Sequence, residues 1–167
     1  MTTIAYDGCT VACDGRSELY DIIVSTTAKK IRVHFGTVYA CAGAPQMYDR
    51  VIAWLHARDW SEPAPTAPEG KWSIMILSRR PNGAIVLEYA SSEVPYPAPM
   101  QAPLALGSGC QFAMGAMKHG ASAREAVEIA CSLDPYSGGE VQVVDIAEAL
   151  GLSNGNLKAE PVKEAAE

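Results

Sequence analysis

The first half of the chain alternates short apolar stretches with turn residues, a pattern typical of antiparallel strands joined as hairpins. Three pairs of stretches have this form: residues 3–6 with 9–13, residues 29–35 with 38–42, and WSIMIL with AIVLEYA. Asp7-Gly8 and Asn82-Gly83 supply tight turns for the first and third pairs. The polar, mixed residues 15–27 predict a loop before the second hairpin.

A helix is predicted between the second and third hairpins, within residues 44–58. Its apolar residues recur three and four positions apart, so they share one face of the helix. These residues are Met47, Val51, Trp54 and Leu55. The three prolines of residues 59–70 predict a surface loop after this helix.

The second half predicts a short strand, two helices and a last strand. Their ranges are 104–109 for the strand LALGSG, 110–119 and 123–133 for the helices, and 140–146 for the last strand. Ser122 and Glu125 form a capping box that begins the second of these helices. The residues predicted to face inward from the first are Phe112, Ala113, Ala116 and Met117.

This order of elements predicts an α+β domain over residues 2–150. Strands joined as hairpins give antiparallel sheets, and helices that come in clusters cover the outer faces of those sheets. Residues 151–167 are rich in Gly, Asn, Lys and Glu and predict a mobile C-terminal tail.

Composition excludes several classes of function. The 167 residues carry a net charge of −6 and contain no run of Lys or Arg, which argues against nucleic acid or an anionic membrane as a partner. The longest apolar runs are too short to span a bilayer, and no secretion signal is expected at the N-terminus. The five cysteines show no metal-ligand spacing, so we expect reduced thiols, no metal, no cofactor and a cytoplasmic location.

The start of the chain carries the first candidate for chemistry. An N-terminal threonine can act alone as a catalyst, because its hydroxyl is the nucleophile and its own α-amino group is the base. Only Met1 precedes Thr2, and a methionine before a small residue is a typical substrate for removal. Many cytoplasmic proteins begin with Met-Thr, so this feature needs support from other residues.

Three later positions supply that support. Asp14 ends the second predicted strand, Lys30 begins the third, and Gly43 ends the strand that follows. A carboxylate keeps a neighbouring lysine charged and oriented, and a lysine beside an N-terminal amine lowers the pKa of that amine. A glycine at a strand-to-helix corner can point its backbone N–H at an oxyanion.

With these residues in view, the sequence resembles the proteasome β-subunit and HslV family of N-terminal nucleophile (Ntn) hydrolases. The resemblance covers residues 2–146, and its segments occur in the order of the family. They are Thr2-Thr3-Ile4, Cys13-Asp14-Gly15, Lys29-Lys30-Ile31-Arg32, Ala42-Gly43-Ala44, Gly107-Ser108-Gly109 and DPYSGG at 134–139. The resemblance implies a four-layer αββα sandwich, in which two antiparallel sheets are flanked by helices.

The resemblance also implies roles for particular residues. Thr2 is the expected nucleophile and base, Asp14 and Lys30 tune it, and Gly43 supplies the oxyanion N–H. Ser108, Asp134 and Ser137 are expected to hold the threonine amine by hydrogen bonds. The residues expected near the substrate pocket are Ala28, Arg32, Cys41 and Pro45. Arg32 either favours an acidic substrate side chain or points to solvent.

Each segment also has a structural alternative. Asp14-Gly15 is compatible with an ordinary turn, Lys29 and Lys30 with a protected strand edge, Ser108 with a helix cap, and DPYSGG with a turn. A catalytic role for Cys41 has no supporting pattern, and a place in a core strand is favoured for it. Taken one at a time these alternatives are preferred, but six segments in the order of one family favour the catalytic interpretation.

The function expected from this combination is a threonine-type endopeptidase. It would degrade unfolded proteins or peptides inside a homo-oligomeric ring, which an ATP-dependent unfoldase could feed. Two alternatives stay open at this point: an Ntn amidase acting on a small-molecule amide, and a catalytically silent structural ring subunit.

Overall fold

The computed structural model describes residues 1–66 and 70–152, and within them it contains eleven strands and four α-helices. The strands are β1 (Thr3–Tyr6), β2 (Thr10–Cys13), β3 (Ser17–Leu19), β4 (Ile22–Ser25), β5 (Ile31–His34), β6 (Thr37–Gly43), β7 (Trp72–Arg79), β8 (Ile85–Ser91), β9 (Ala98–Pro99), β10 (Leu104–Gly107) and β11 (Gln142–Asp145). The helices are α1 (Tyr48–Ala57), α2 (Cys110–Lys118), α3 (Ala123–Leu133) and α4 (Ile146–Ala149). A 3₁₀ turn, Pro45–Met47, leads into α1.

The strands form two antiparallel sheets and a separate ribbon. The first sheet has the order β10-β1-β2-β11, the second has the order β5-β6-β7-β8-β9, and β3 pairs with β4 alone. In the first sheet β1 lies between β10 and β2, so Ile4 faces Leu106 on one side and Cys13 on the other. The N-terminal segment is therefore held by two neighbouring strands from its third residue onward.

One apolar core lies between the two sheets. Side chains that alternate along β1 and β2 point to opposite faces, and Ile4, Tyr6 and Val11 join residues of β6 and β7 in this core. Strand β1 also contacts β6, and β10 contacts β6 and β7. The other faces of β1 and β2 carry the small residues Ala5 and Ala12, which lets α2 and α3 pack closely against them.

Helix α1 covers the outer face of the second sheet. Val51, Trp54 and Leu55 of this helix are buried, as the periodicity predicts, and so is Met47 of the preceding 3₁₀ turn. These residues pack with Tyr39 and other residues of β6 and β7. Together with α2 and α3 on the first sheet, this places helices outside both sheets. The structure is thus a mixed α/β domain of antiparallel sheets with four helices among the described residues.

Most predicted elements are confirmed, but the expectations for residues 15–27 and for Phe112 are wrong. Residues 15–27 contain the β3–β4 hairpin rather than only a loop. Its turn residues Tyr20 and Asp21 both have positive φ, 49° and 64°, as in a type I′ turn, which they form without a glycine. Phe112 is 41% exposed instead of facing inward. The face of α2 that packs on the first sheet is the one with Ala113 and Met117, which are buried.

The end of the described chain packs against the domain. Leu152 is buried with Ile146 in the core between the sheets, although the composition of residues 151–167 predicts a mobile tail. Residues 153–167 of that predicted tail lie outside the described residues. No helix in the described ranges is long and apolar enough to cross a membrane.

Candidate active site at the start of the first strand

Thr2 directly precedes β1 and is held through its main chain. The backbone N–H of Ser108 donates to the Thr2 carbonyl oxygen at 2.8 Å, and the Ser108 hydroxyl lies 3.4 Å from the same oxygen. Gly107 has a φ of +91°, and a Cβ at this position would lie 1.8 Å from the Thr2 carbonyl oxygen. Thr2 is only 4% exposed, so its position is fixed on several sides.

The Asp14 carboxylate lies directly beneath this strand end and is fully buried. One oxygen accepts hydrogen bonds from the Thr3 N–H at 2.9 Å and the Lys30 ammonium at 2.7 Å. The other accepts from the backbone N–H groups of Arg16 at 3.2 Å and Gly138 at 3.1 Å. Four donors satisfy an ionised carboxylate that burial alone would penalise.

Lys30 connects Asp14 to the first residue of the chain. Its side chain is 5% exposed, and its ammonium lies 2.7 Å from the Asp14 carboxylate. The same nitrogen donates to the carbonyl oxygen of Met1 at 3.4 Å. A fixed positive charge therefore lies beside the peptide bond between Met1 and Thr2, where it would disfavour protonation of any amine.

A second hydrogen-bonded group lies on the other side of Thr2. The hydroxyls of Ser108 and Ser137 each donate to one Asp134 oxygen at 2.6 Å. Burial of Asp134 disfavours its ionised form and so raises its pKa. This effect is outweighed by hydrogen bonds from the two hydroxyls and the Tyr136 N–H and by the positive α-amino group of the chain, so the Asp134 pKa lies below its ordinary value. The Thr3 hydroxyl lies 2.6 Å from the Ser137 hydroxyl and extends the group to β1.

We expect the lowered Asp134 pKa to make the protein more sensitive to acid. A depressed folded-state pKa gives stability that is present above the unfolded value, about 3.9, and is lost as pH falls through the folded value. The Asp134→Asn variant lacks this contribution. Urea unfolding at pH 6 and pH 3 should therefore show a smaller loss of unfolding free energy on acidification for the variant than for the wild type. Equal losses in the two proteins would contradict the prediction.

Gly43 lies opposite this group at the end of β6. It adopts a φ of +100°, and a Cβ there would lie 2.2 Å from the Lys71 carbonyl oxygen. The position therefore requires glycine, and Gly43 is exposed and lines the same cavities as Thr2.

Two cavities meet at Thr2 and Gly43. The larger, of about 280 Å³, extends toward β7, β8 and Ser108. The smaller, of about 110 Å³, extends toward β5, the 3₁₀ turn and the base of the β3–β4 hairpin. Met1, Thr2 and Gly43 line both. An extended ligand could thus pass Thr2 with one portion in each cavity.

Three of the four residues expected near a substrate pocket line the smaller cavity: Ala28, Arg32 and Pro45. Cys41 does not share that location, because it is fully buried between β6 and α1. Burial raises the pKa of the Cys41 thiol to about 12, so it is protonated near neutral pH and is a poor nucleophile.

Neither a protein-family model nor a curated protein sequence matches this chain. Solved structures, however, do match the chain. BPH from Thiobacillus denitrificans superimposes with a TM-score of 0.60 at 16% identity, over 87% of this chain and 97% of BPH. The same protein in complex with epoxomicin superimposes with a TM-score of 0.60 at 17% identity, over 87% of this chain and 98% of BPH. Anbu, an ancestral beta-subunit from Yersinia bercovieri, superimposes with a TM-score of 0.61 at 13% identity, over 86% of this chain and 80% of Anbu.

The chain has a proteasome-like fold. At these identities the likeness concerns the fold alone, and the site must be judged from its own residues. The structure brings all seven residues expected to be catalytic around the start of β1: Thr2, Asp14, Lys30, Gly43, Ser108, Asp134 and Ser137. Their sequence separations reach more than 130 residues.

Several residues that shape this site were not predicted from the sequence. Arg16 donates to the Pro135 carbonyl oxygen at 2.8 Å and ties the end of β2 to the turn that carries Asp134 and Ser137. Glu18 and Tyr48 line the smaller cavity. Arg16 directly follows the Asp14-Gly15 segment, which was a usable signal, whereas nothing local marks Tyr48.

We expect Gly107→Ala to displace Thr2 and to destabilise the protein by about 2 kcal/mol or more, because it adds a clash with backbone at positive φ. Gly115→Ala is the matched control. Gly115 lies in α2 with nothing within 4 Å of its added Cβ, so the change should stabilise by about 0.5–1 kcal/mol. Chemical unfolding of both variants tests this. A Gly107→Ala protein as stable as the wild type would contradict it.

Proposed function

We propose that this protein is a threonine-type endopeptidase of the Ntn-hydrolase class, with Thr2 as its nucleophile after removal of Met1. The observation that carries the proposal is the position of Thr2. It lies between the buried Asp14–Lys30 ion pair and the Ser108–Asp134–Ser137 group, where two cavities meet.

The chemistry follows from the groups around Thr2. With Met1 removed, the Thr2 α-amine faces the Lys30 ammonium, which lowers the pKa of the amine and keeps it available as a base. The amine takes the hydroxyl proton as Oγ1 attacks a substrate carbonyl carbon. Gly43 donates its backbone N–H to the developing oxyanion.

The tetrahedral intermediate then collapses to an ester on Thr2. The C–N bond breaks, and the proton held by the α-amine passes to the leaving amine of the substrate. A water molecule, deprotonated by the same α-amine, attacks the ester and releases the carboxylic acid, which restores the Thr2 hydroxyl. Ser108, Asp134 and Ser137 orient the α-amine through both steps, and Asp14 keeps Lys30 charged and in place.

The layering of the domain supports the Ntn-hydrolase assignment. Helices α2 and α3 pack on one sheet, α1 packs on the other, and the two sheets share a core, as in an αββα sandwich. In the proposal, copies of the chain form a cytoplasmic homo-oligomeric ring around an inner chamber, which an ATP-dependent unfoldase supplies with unfolded protein. Exposed apolar residues of the β3–β4 hairpin, Leu19, Ile22 and Val24, support association between copies.

Digestion of unfolded casein by the purified protein tests the proposal. N-terminal sequencing first establishes that Thr2 is the first residue, and mass spectrometry then locates cleaved bonds. We expect cleavage of internal peptide bonds in casein. Hydrolysis of small acyl amides with casein left intact would support an Ntn amidase instead. No hydrolysis of either by protein that begins at Thr2 would support a silent ring subunit.

A further inference from the structure

The smaller cavity beside Thr2 has an unusual concentration of charged side chains for its volume of about 110 Å³. Four cationic residues and one acidic residue line it: Arg16, Lys29, Lys30, Arg32 and Glu18. Which of these charges are already paired within the protein decides what the cavity can accept.

Two of the cations are neutralised by fixed carboxylates. The Lys30 ammonium lies 2.7 Å from Asp14, and the Arg16 guanidinium lies 2.9 Å from Glu18. The α-ammonium of Met1 also lies 3.6 Å from Glu18, but it leaves when Met1 is removed. Glu18 then keeps Arg16 as its partner, so the acidic side of the cavity is balanced.

Arg32 and Lys29 differ from these two cations, because no described carboxylate pairs with them. Arg32 is partly exposed and lines the cavity, and its guanidinium donates to the Lys29 carbonyl oxygen at 2.9 Å. Within residues 1–66 and 70–152, no carboxylate lies within ion-pairing distance of either side chain. The cavity next to the nucleophile therefore carries excess positive charge.

The Arg32 charge also affects the pKa of two side chains inside the protein. Burial raises the pKa of the Cys41 and Tyr48 side chains, and the Arg32 guanidinium opposes both increases. Tyr48 lines the cavity, and Cys41 lies in the core next to it. The guanidinium is thus close enough to stabilise an anion placed in the cavity.

We propose that the protein cleaves peptides next to acidic residues, with an Asp or Glu side chain bound by Arg32 in the smaller cavity. This inference rests on the proposed endopeptidase function. A guanidinium recognises a carboxylate through two parallel hydrogen bonds, a geometry that an ammonium does not offer. Arg32 is therefore the main specificity determinant, and Lys29 adds positive charge at the rim.

Matched quenched-fluorescence peptides that differ only in Glu or Gln at one position test the proposal, with the cleaved bond located by mass spectrometry. We expect the wild type to cleave next to Glu with a kcat/KM roughly tenfold above that for Gln. A tenfold ratio corresponds to about 1.4 kcal/mol, which is about the amount by which a hydrogen bond to a charged group exceeds a neutral one. Arg32→Gln should bring this ratio close to one. Arg50→Gln, on the exposed face of α1, is the control and should keep the wild-type ratio.

The outcomes separate this proposal from the one on which it rests. Efficient cleavage of the Gln peptides with no preference for Glu would overturn the acidic specificity and leave the endopeptidase function standing. An unchanged ratio in Arg32→Gln would overturn the role of Arg32. Failure of protein beginning at Thr2 to cleave either peptide or casein would overturn both proposals together.

Discussion

Replacing Thr2 with alanine should lower peptide-bond cleavage at least roughly 10⁴-fold, because the variant lacks the oxygen that forms the ester with substrate. The folded protein should survive the change. Ser108 holds residue 2 through its carbonyl oxygen, which alanine retains. Steady-state hydrolysis and chemical unfolding of the same preparation measure both effects.

Two further variants make the Thr2 prediction specific. Thr2→Ser keeps a hydroxyl and an α-amine and should retain measurable cleavage. Thr27→Ala removes an exposed threonine hydroxyl near the β3–β4 hairpin and should behave as the wild type. Residual cleavage by Thr2→Ala that equals the wild-type rate would exclude Thr2 as the nucleophile.

Lys30→Met should reduce both activity and stability. It leaves the Asp14 carboxylate fully buried without its only side-chain cation in the described structure, and breaking a buried ion pair in this way typically costs about 3–5 kcal/mol. The three backbone N–H donors to Asp14 should keep the loss near the lower end of that range. Urea unfolding measures the loss, and casein hydrolysis should fall with it.

The exposed ion pair between Arg124 and Glu128 provides a control for Lys30→Met. Both side chains are about half exposed on α3, and Arg124→Met should change stability by about 0.5 kcal/mol or less. Removing both charges in Lys30→Met with Asp14→Asn should recover part of the lost stability, since no buried charge is then left unpaired. A loss in Lys30→Met no larger than in Arg124→Met would show that the buried pair does not stabilise the fold.

Local sequence signals predicted much of the fold because they have local causes. The capping box of Ser122 and Glu125 begins α3 at the expected residue, and the periodicity of α1 identifies its buried face. The β3–β4 hairpin was missed for a local reason as well. Its turn uses Tyr20 and Asp21 at positive φ, where a sequence pattern leads one to expect glycine or asparagine.

The site was predicted less completely because long-range contacts form it. The resemblance supplied the residues, but no spacing in the sequence shows that the Thr3 hydroxyl meets that of Ser137 or that Arg16 reaches Pro135. The place in a core strand predicted for Cys41 is confirmed, whereas the place near the substrate pocket is not. Cys41 shares the face of β6 that carries Tyr39 and packs on α1, whereas Ala40 and Ala42 face the other sheet.

The intact mass of the purified protein, before and after incubation with epoxomicin, tests the central claim most directly. Epoxomicin is the chosen probe because BPH, which shares the fold, has been solved in complex with it. We predict a mass without Met1, a gain of one epoxomicin adduct in the wild type, and no gain in Thr2→Ala. A mass that retains Met1 and does not change with epoxomicin would contradict the account and favour a silent ring subunit.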